Sequence, residues 1–509
     1  MVKKKGHLPM KMSPCAGEGS RTHTHEALDP KSSLSTNFNT PANPPGRLIT
    51  ISPSPKQTCW KLSESVSERI ANIRIFPNNF YICTIKYLYM NKKVIILLLL
   101  CVSAIGKIYS QDSQTYREWI AERPYRAHAN YDPYEFDKIE DTPAPKGYKP
   151  FYISHYGRHG SRSNWGGSEY EAIINVLEAA YRQGLLTPSG DSLLVATKKV
   201  LAGYNGMDGR LTDRGAREHR RLAERMYHRY DRVFKKGNRE IRSVSSMIPR
   251  CLVSMAAFTS SLSACDNKLK MTWDTGEQMQ KYISNDIPKE VSSSYSVLLD
   301  SVLEENPVDT SFFMKRIFNN PKQAAGLIKD KVIFQKYIFN TAKIAKSFDI
   351  DTDIYGMLPL DMILYWGGYY NTRMYLGNCN SYEYGEFVLP LARPLVRDII
   401  EKADDVIANG TVAADLRFGH DYPLLKLGSL MGLQGIGDRL SYKEVSNNWF
   451  GAAYTCFAAN IQLIFYKNGK GDILVKCLLN EKETLIKDLE AYSGPYYKWS
   501  DVRSYWLKR

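Results

Sequence analysis

The chain has 509 residues, 43% hydrophobic and 24% charged, which fits a globular protein of more than one domain, or one domain with a large insertion. Its formal charge of +15 is unevenly placed: residues 1–110 hold 15 Lys/Arg and 5 Asp/Glu, and the other 399 residues hold 53 and 48. A net +5 on that body argues against a general polyanion or nucleic-acid binder and leaves room for a local basic pocket.

Residues 1–89 mix Pro, Ser, Thr and Lys without a sustained period, as in PANPPGRLITISPSPKQ, and read as an upstream extension rather than a folded domain. Met90 begins MNKKVIILLLLCVSAIGKIYSQ. Lys92 and Lys93 precede an apolar run from Val94 to Ile105, the pattern of an export signal over 90–110, with cleavage expected after Ser110. Met90 is then the expected start of translation, and no stable membrane insertion is expected after cleavage. The alternatives are a genuine extension with one membrane anchor, and a lipid-modified Cys101. A periplasmic or secreted location follows from the signal. Five cysteines would remain, Cys251, Cys265, Cys379, Cys456 and Cys477. That number allows one or two disulfides, and no cluster has the spacing of a zinc site.

Residues 111–145 form a lead-in rich in Tyr, Asp and Pro. FYISHYGRHGSR, Phe151 to Arg162, follows. It alternates like a strand and then breaks into a basic loop in which Arg158 and Arg162 flank His159 between Gly157 and Gly160. Guanidinium forks suit phosphate oxygens, glycines allow close backbone approach, and an imidazole there can attack phosphorus or carry a proton. Helical spacing is expected over Ser168–Leu186, Asp191–Leu201 and Leu211–Tyr230, the last capped by Thr212. His219 and His228 are expected on its exposed, charged face. His155 is expected to pack within the strand.

Glu240–Ser245 is a second strand candidate. Pro249 then opens an apolar helix, which places Arg250 at a strand-to-helix junction, where parallel α/β sheets present ligand-binding side chains. Arg242 and Arg417 are expected as salt-bridge partners from strands. From about 265 to 399 the pattern is mostly helical and strands are hard to find. Ala414–Phe418 reads as a strand ending at Gly419, with His420 and Asp421 at its carboxyl end. Strands are expected at Ala453–Phe465 and Asp472–Leu479, joined through an Asn-Gly turn.

HYGRHGSR, Arg250 at its strand–helix junction and the late Gly419-His420-Asp421 resemble the signatures of the histidine acid phosphatases, the branch of the histidine phosphatase superfamily that includes phytases. The order of these motifs and the helical stretch between them extend the resemblance over roughly 146–509. LLKLGSLMGL after Asp421 is similar to the multiple inositol-polyphosphate phosphatases, a group that commonly carries HAE where this chain has His420-Asp421-Tyr422.

The resemblance implies a phosphoglycerate-mutase-like three-layer α/β/α domain from 146–264 and 400–509, with a helical specificity insertion at 265–399. It implies His159 as nucleophile through a phosphohistidine, Asp421 as proton donor, and Arg158, Arg162, Arg250 and His420 as phosphate ligands. It implies no metal or other cofactor, and a small phosphate ester as substrate. Phytate or another inositol polyphosphate is the leading expectation within that class. The alternatives are a broad-specificity acid phosphatase, a mutase-like transferase, and a non-catalytic phosphate-binding module.

Overall fold

The structure is a computed structural model and describes residues 115–509; the extension at 1–89 and the signal at 90–110 lie outside the described residues. The described chain begins with helix α1 (Tyr116–Glu122) and a short 3-10 turn (Pro124–His128). Strand β1 (Lys149–Arg158) follows, then helices α2 (Ser168–Arg182), α3 (Pro188–Tyr204) and α4 (Asp213–Arg229). Next come β2 (Glu240–Ser245), α5 (Pro249–Cys265) and β3 (Lys270–Thr275). Helices α6 (Glu277–Ile283), α7 (Lys289–Glu305), α8 (Lys331–Ala345), α9 (Leu360–Asn378) and α10 (Arg393–Asn409) lead to β4 (Ala414–Gly419) and α11 (Asp421–Met431). The chain closes with β5 (Asn460–Lys467), β6 (Ile473–Leu479), the short β7 (Lys482–Thr484) and β8 (Tyr496–Lys498), and α12 (Trp499–Lys508).

The strands form one mixed sheet in the order β3-β2-β4-β1-β5-β6-β7, with β8 also paired to β6. The four strands from β3 to β1 are parallel, and β5 to β8 are added antiparallel. The two-residue period of β1 shows the layers directly. His155 points to one side, its ring 5.5 Å from that of Phe258 on α5. Its neighbour Ser154 points to the other, where its hydroxyl accepts from Arg417, whose guanidinium pairs with Asp398 on α10 at 2.7 Å. The result is a three-layer α/β/α arrangement, as the resemblance implied. A large helical region has its own core, drawn from α1, α8, α9 and also α2 and α3.

Local chemistry explains the element ends. Thr212 caps α4 by accepting from the Gly215 amide. Pro249 and Pro423 sit in the first turns of α5 and α11, where a missing N–H costs nothing. α10 ends at Gly410 and α11 at Gly432, both left-handed. Arg242 and Arg417 are ion-paired from their strands as expected, Arg242 to Asp415 at 2.7 Å.

Several expectations need correction. Lys270–Thr275, within the stretch where strands were hard to find, is the edge strand β3; it is only six residues long, and its apolar members Met271 and Trp273 are not fully buried, Trp273 being 59% exposed. Ala453 and its neighbours form a helical turn, and β5 starts only at Asn460. His219, expected on an exposed face, is buried, facing Phe258 and Phe418, while His228 is exposed. All five cysteines are free thiols. Among the described residues no helix is long and apolar enough to cross a membrane, and no three His, Cys, Asp or Glu side chains group as metal ligands would.

Candidate active site

Parallel strands bring their carboxyl ends to one edge. Arg158 at the end of β1 is level with Gly419 at the end of β4, and Ser245 of β2 is level with Phe418. The Arg158–Arg162 loop, His420 and Ser246 therefore converge there, although 260 residues separate the first two in sequence. The His159 amide donates to the Gly419 carbonyl at 2.9 Å, tying the two catalytic candidates' strands together.

The loop is fixed from below by α4. Buried Glu218 accepts from the Ser161 amide at 2.8 Å, the Ser161 hydroxyl at 2.7 Å and the Tyr134 amide at 3.3 Å. Gly160 lies against Gly215 so closely that a Cβ on it would sit 2.4 Å from the Gly215 carbonyl oxygen. Its amide donates to Ser254 of α5 at 3.2 Å. Glycine at 160 is thus required by close approach of two backbones.

His159 is buried, and its Nδ1 lies 2.9 Å from the Gly160 carbonyl. A carbonyl can only accept, so Nδ1 carries the proton and Nε2 keeps the lone pair. Burial and the nearby Arg250 and Arg158 charges hold its pKa well below the usual imidazole value, so the ring is neutral. Burial and Arg250 likewise push His420 down to about 3. His420 Nδ1 lies 3.3 Å from an Arg250 nitrogen and Nε2 3.1 Å from the Ser246 hydroxyl; its ring stacks on Tyr422 with centroids 5.2 Å apart. Its amide donates to the Tyr156 hydroxyl at 3.1 Å.

The three arginines are all buried. Arg158 donates to the carbonyls of Asn130 and Thr455, approaches Asp421 Oδ2 at 3.2 Å and lies 4.5 Å over the Phe457 ring. Arg162 donates to the Tyr131 hydroxyl at 2.6 Å. Arg250 occupies the first turn of α5. Asp421, first residue of α11, accepts from the Asn130 side-chain amide at 2.5 Å and from the Tyr422 amide at 2.9 Å. Burial alone would raise its pKa. The Arg158 charge, the Asn130 hydrogen bond and His420 outweigh burial and hold the carboxyl at about 2.

Asp421 and Tyr422 also line a cavity of about 350 Å³ whose other walls include Tyr131, Lys343, Tyr370 and Arg373. The Lys343 ammonium sits 4.1 Å over the Tyr370 ring and 4.5 Å over that of Tyr131.

All six residues predicted from the sequence therefore meet at one edge of the sheet. Sequence reasoning missed Asn130 and Tyr131, which arrive from the lead-in and carry no motif. It also missed Glu218. One signal existed there: Glu218 falls on the same helical stripe as Leu222 and Met226, where a charge signals a buried partner.

Comparison with known proteins agrees with this fold. The profile of the histidine phosphatase superfamily (branch 2) matches residues 157–480. The fold is similar to that of a Bifidobacterium longum multiple inositol polyphosphate phosphatase in complex with phosphate: TM-score 0.62 at 18% identity, covering 75% of this chain and 97% of that one. It is also similar to a D. castellii phytase, with a TM-score of 0.59 at 13% identity over 75% and 85% of the two chains. No curated protein sequence matches. The chain belongs to the histidine phosphatase superfamily (branch 2) and is a histidine-type acid phosphatase, a phosphomonoesterase.

Proposed function

We propose that the protein hydrolyses phosphate esters through a phosphohistidine on His159, and that its substrates are inositol polyphosphates such as phytate. The observation that carries the mechanism is the His159 ring: its Nδ1 proton is engaged by the Gly160 carbonyl, which leaves the lone pair on Nε2, and the charges of Arg250, Arg158 and Arg162 act on the ring. In the first step Nε2 forms a bond to phosphorus while the bond from phosphorus to the ester oxygen breaks. Asp421 gives its proton to that leaving oxygen. In the second step water adds to phosphorus, the P–N bond breaks, and the water's proton passes to Asp421. Arg158, Arg162, Arg250 and His420 hold the phosphoryl oxygens and offset the charge that builds on them.

With the site empty Asp421 is ionised, because cations surround it. A bound phosphate dianion adds negative charge beside it and raises its proton affinity. An acidic optimum follows.

The substrate reading is supported by the cavity beside Asp421. Its wall carries Lys343 and Arg373 as well as tyrosines, a lining suited to further anionic groups on the leaving alcohol. A related fold is that of the B. longum phosphatase in complex with inositol hexasulfate. Asp421, in place of the Glu-bearing HAE, is consistent with the same proton-donor role from one position earlier. Export to the periplasm or beyond, from the signal-like run at 90–110, is part of this proposal.

The test is phosphate release from phytate and from p-nitrophenyl phosphate by the purified protein beside His159→Ala, across acidic to neutral pH. Wild-type turnover with a preference for phytate, absent in His159→Ala, is the expected result. Release from the aryl ester alone would reject the inositol polyphosphate reading. Undiminished release by His159→Ala would reject the nucleophile.

A further inference from the structure

Trp165 has no part in the reaction just described. Its indole is 58% exposed, an uncommon position for so large an apolar ring. The guanidinium carbons of Arg162 and Arg250 each lie 4.8 Å from its centroid. Both arginines are buried, at 6% and 8% exposed, so the exposed ring lies against two cations that are themselves shielded from water.

The ring's placement is built into the backbone. The Ser163 amide donates to the Arg210 carbonyl at 2.8 Å, and the Gly209 amide to the Asn164 carbonyl at 2.7 Å. These two bonds fasten the segment that carries Trp165 to the turn before α4. Gly209 is left-handed, with φ of 57°, and a Cβ there would sit 2.6 Å from the indole. A side chain at 209 would push the ring off its seat.

Two guanidinium groups brought to one phosphate site repel each other while the site is empty, and Arg162 does lower the proton affinity of Arg250. The negative face of an indole offsets that repulsion, and indole is the strongest such partner among the aromatic side chains. We propose that Trp165 is a positioning residue that holds Arg162 and Arg250 together in the orientation that receives the phosphoryl group. The inference rests on the reading of these two arginines as phosphate ligands. Because the ring touches both, it also reports on them: phosphate drawn onto the guanidinium groups changes the charge against the indole, and hence its emission.

The experiment measures competitive inhibition by inorganic phosphate, kcat and KM for p-nitrophenyl phosphate, and tryptophan emission with and without saturating phosphate. The proteins are wild type, Trp165→Ala, Trp165→Phe, Arg162→Ala and Arg250→Ala. For Trp165→Ala the phosphate inhibition constant and KM are expected to rise about 5- to 20-fold, the effect of two cation–π contacts, with a smaller change in kcat. Trp165→Phe, which keeps an aromatic face, is expected to recover most of the affinity. It is also expected to lose the phosphate-dependent emission change while still binding phosphate. An inhibition constant within twofold of wild type for Trp165→Ala, alongside clear weakening in both arginine variants, overturns the inference and spares the phosphate-site reading. Unchanged inhibition in the arginine variants overturns that reading, and the inference with it. Should Trp165→Ala fail to fold, Trp165→Leu, which keeps bulk without an aromatic face, decides: an inhibition constant for phosphate within twofold of wild type would sink the proposal.

Discussion

Replacing Asp421 by Asn removes the proton while keeping the shape. General-acid assistance contributes roughly 10²- to 10⁴-fold, which corresponds to about 3–5 kcal/mol in the barrier. The structure refines what else should change. Asp421 Oδ1 accepts from the Tyr422 amide at 2.9 Å, and an Asn oxygen can keep that bond. Oδ2 faces Arg158 at 3.2 Å and the Asn130 amide at 2.5 Å, so an Asn NH2 group there confronts two donors. The variant is therefore expected to lose about 1–3 kcal/mol of stability. It also loses a negative charge beside the phosphate ligands, so inorganic phosphate should inhibit it at least as strongly as wild type. The decisive comparison is between leaving groups. An alkoxide, as from phytate, needs a proton to depart, whereas p-nitrophenolate does not. The assay is kcat on both substrates at the wild-type optimum. The fall should be much larger for phytate than for the aryl ester. Equal falls on the two substrates, or an unchanged rate on phytate, would refute Asp421 as the donor.

Glu218→Ala strands the Ser161 amide, the Ser161 hydroxyl and the Tyr134 amide in a buried space. A loss of about 3 kcal/mol in urea denaturation is expected, with activity falling as well; a loss under about 1 kcal/mol would mean that the loop does not depend on this carboxylate. Gly160→Ala drives a Cβ into the Gly215 backbone, which cannot rotate aside, so the histidine moves and kcat/KM should drop about 100-fold or more. Wild-type rates in that variant would show that the contact relaxes freely. Stability should also depend on pH. His155, His219 and His420 are held down to about 3 by burial, so between about 6.5 and 3 the unfolded chain binds protons that the folded one does not. The stability these three rings contribute is then fully present above about pH 6.5 and declines as pH falls through that window, by up to ~1 kcal/mol per pH unit for each ring, while the carboxyl of Asp132, lifted to about 7 by burial, offsets part of it. Denaturation midpoints at pH 7 and pH 5, without phosphate, check this; equal midpoints would contradict the buried neutral state.

The legible parts of the fold were those with strong local chemistry. β4 was readable because Ala414, Leu416 and Phe418 alternate with Asp415 and Arg417 up to the break at Gly419, and α4 because Thr212 caps a long amphipathic run. β3 was not, since only Met271 and Trp273 alternate with polar residues in so short a run, and its place is set by pairing with β2 at the edge of the sheet. His219 looked exposed because its neighbours in sequence are charged. Its true surroundings, Phe258 and Phe418, come from elements 39 and 199 residues away.

For the site, the chain by itself determined the chemical groups: a histidine between arginines and glycines after a strand, a second arginine-bearing junction, and a His-Asp pair after another strand. Local sequence can do this because a strand's end and a helix's first turn are set by adjacent residues. Only the tertiary structure decided the rest. It placed Gly419 level with Arg158, brought Arg250 and His420 to the loop of His159, and brought Asn130, Glu218 and Trp165 to their partners. Those pairings depend on strand register and on close packing between elements far apart in the chain, and neither is written in any one stretch of residues.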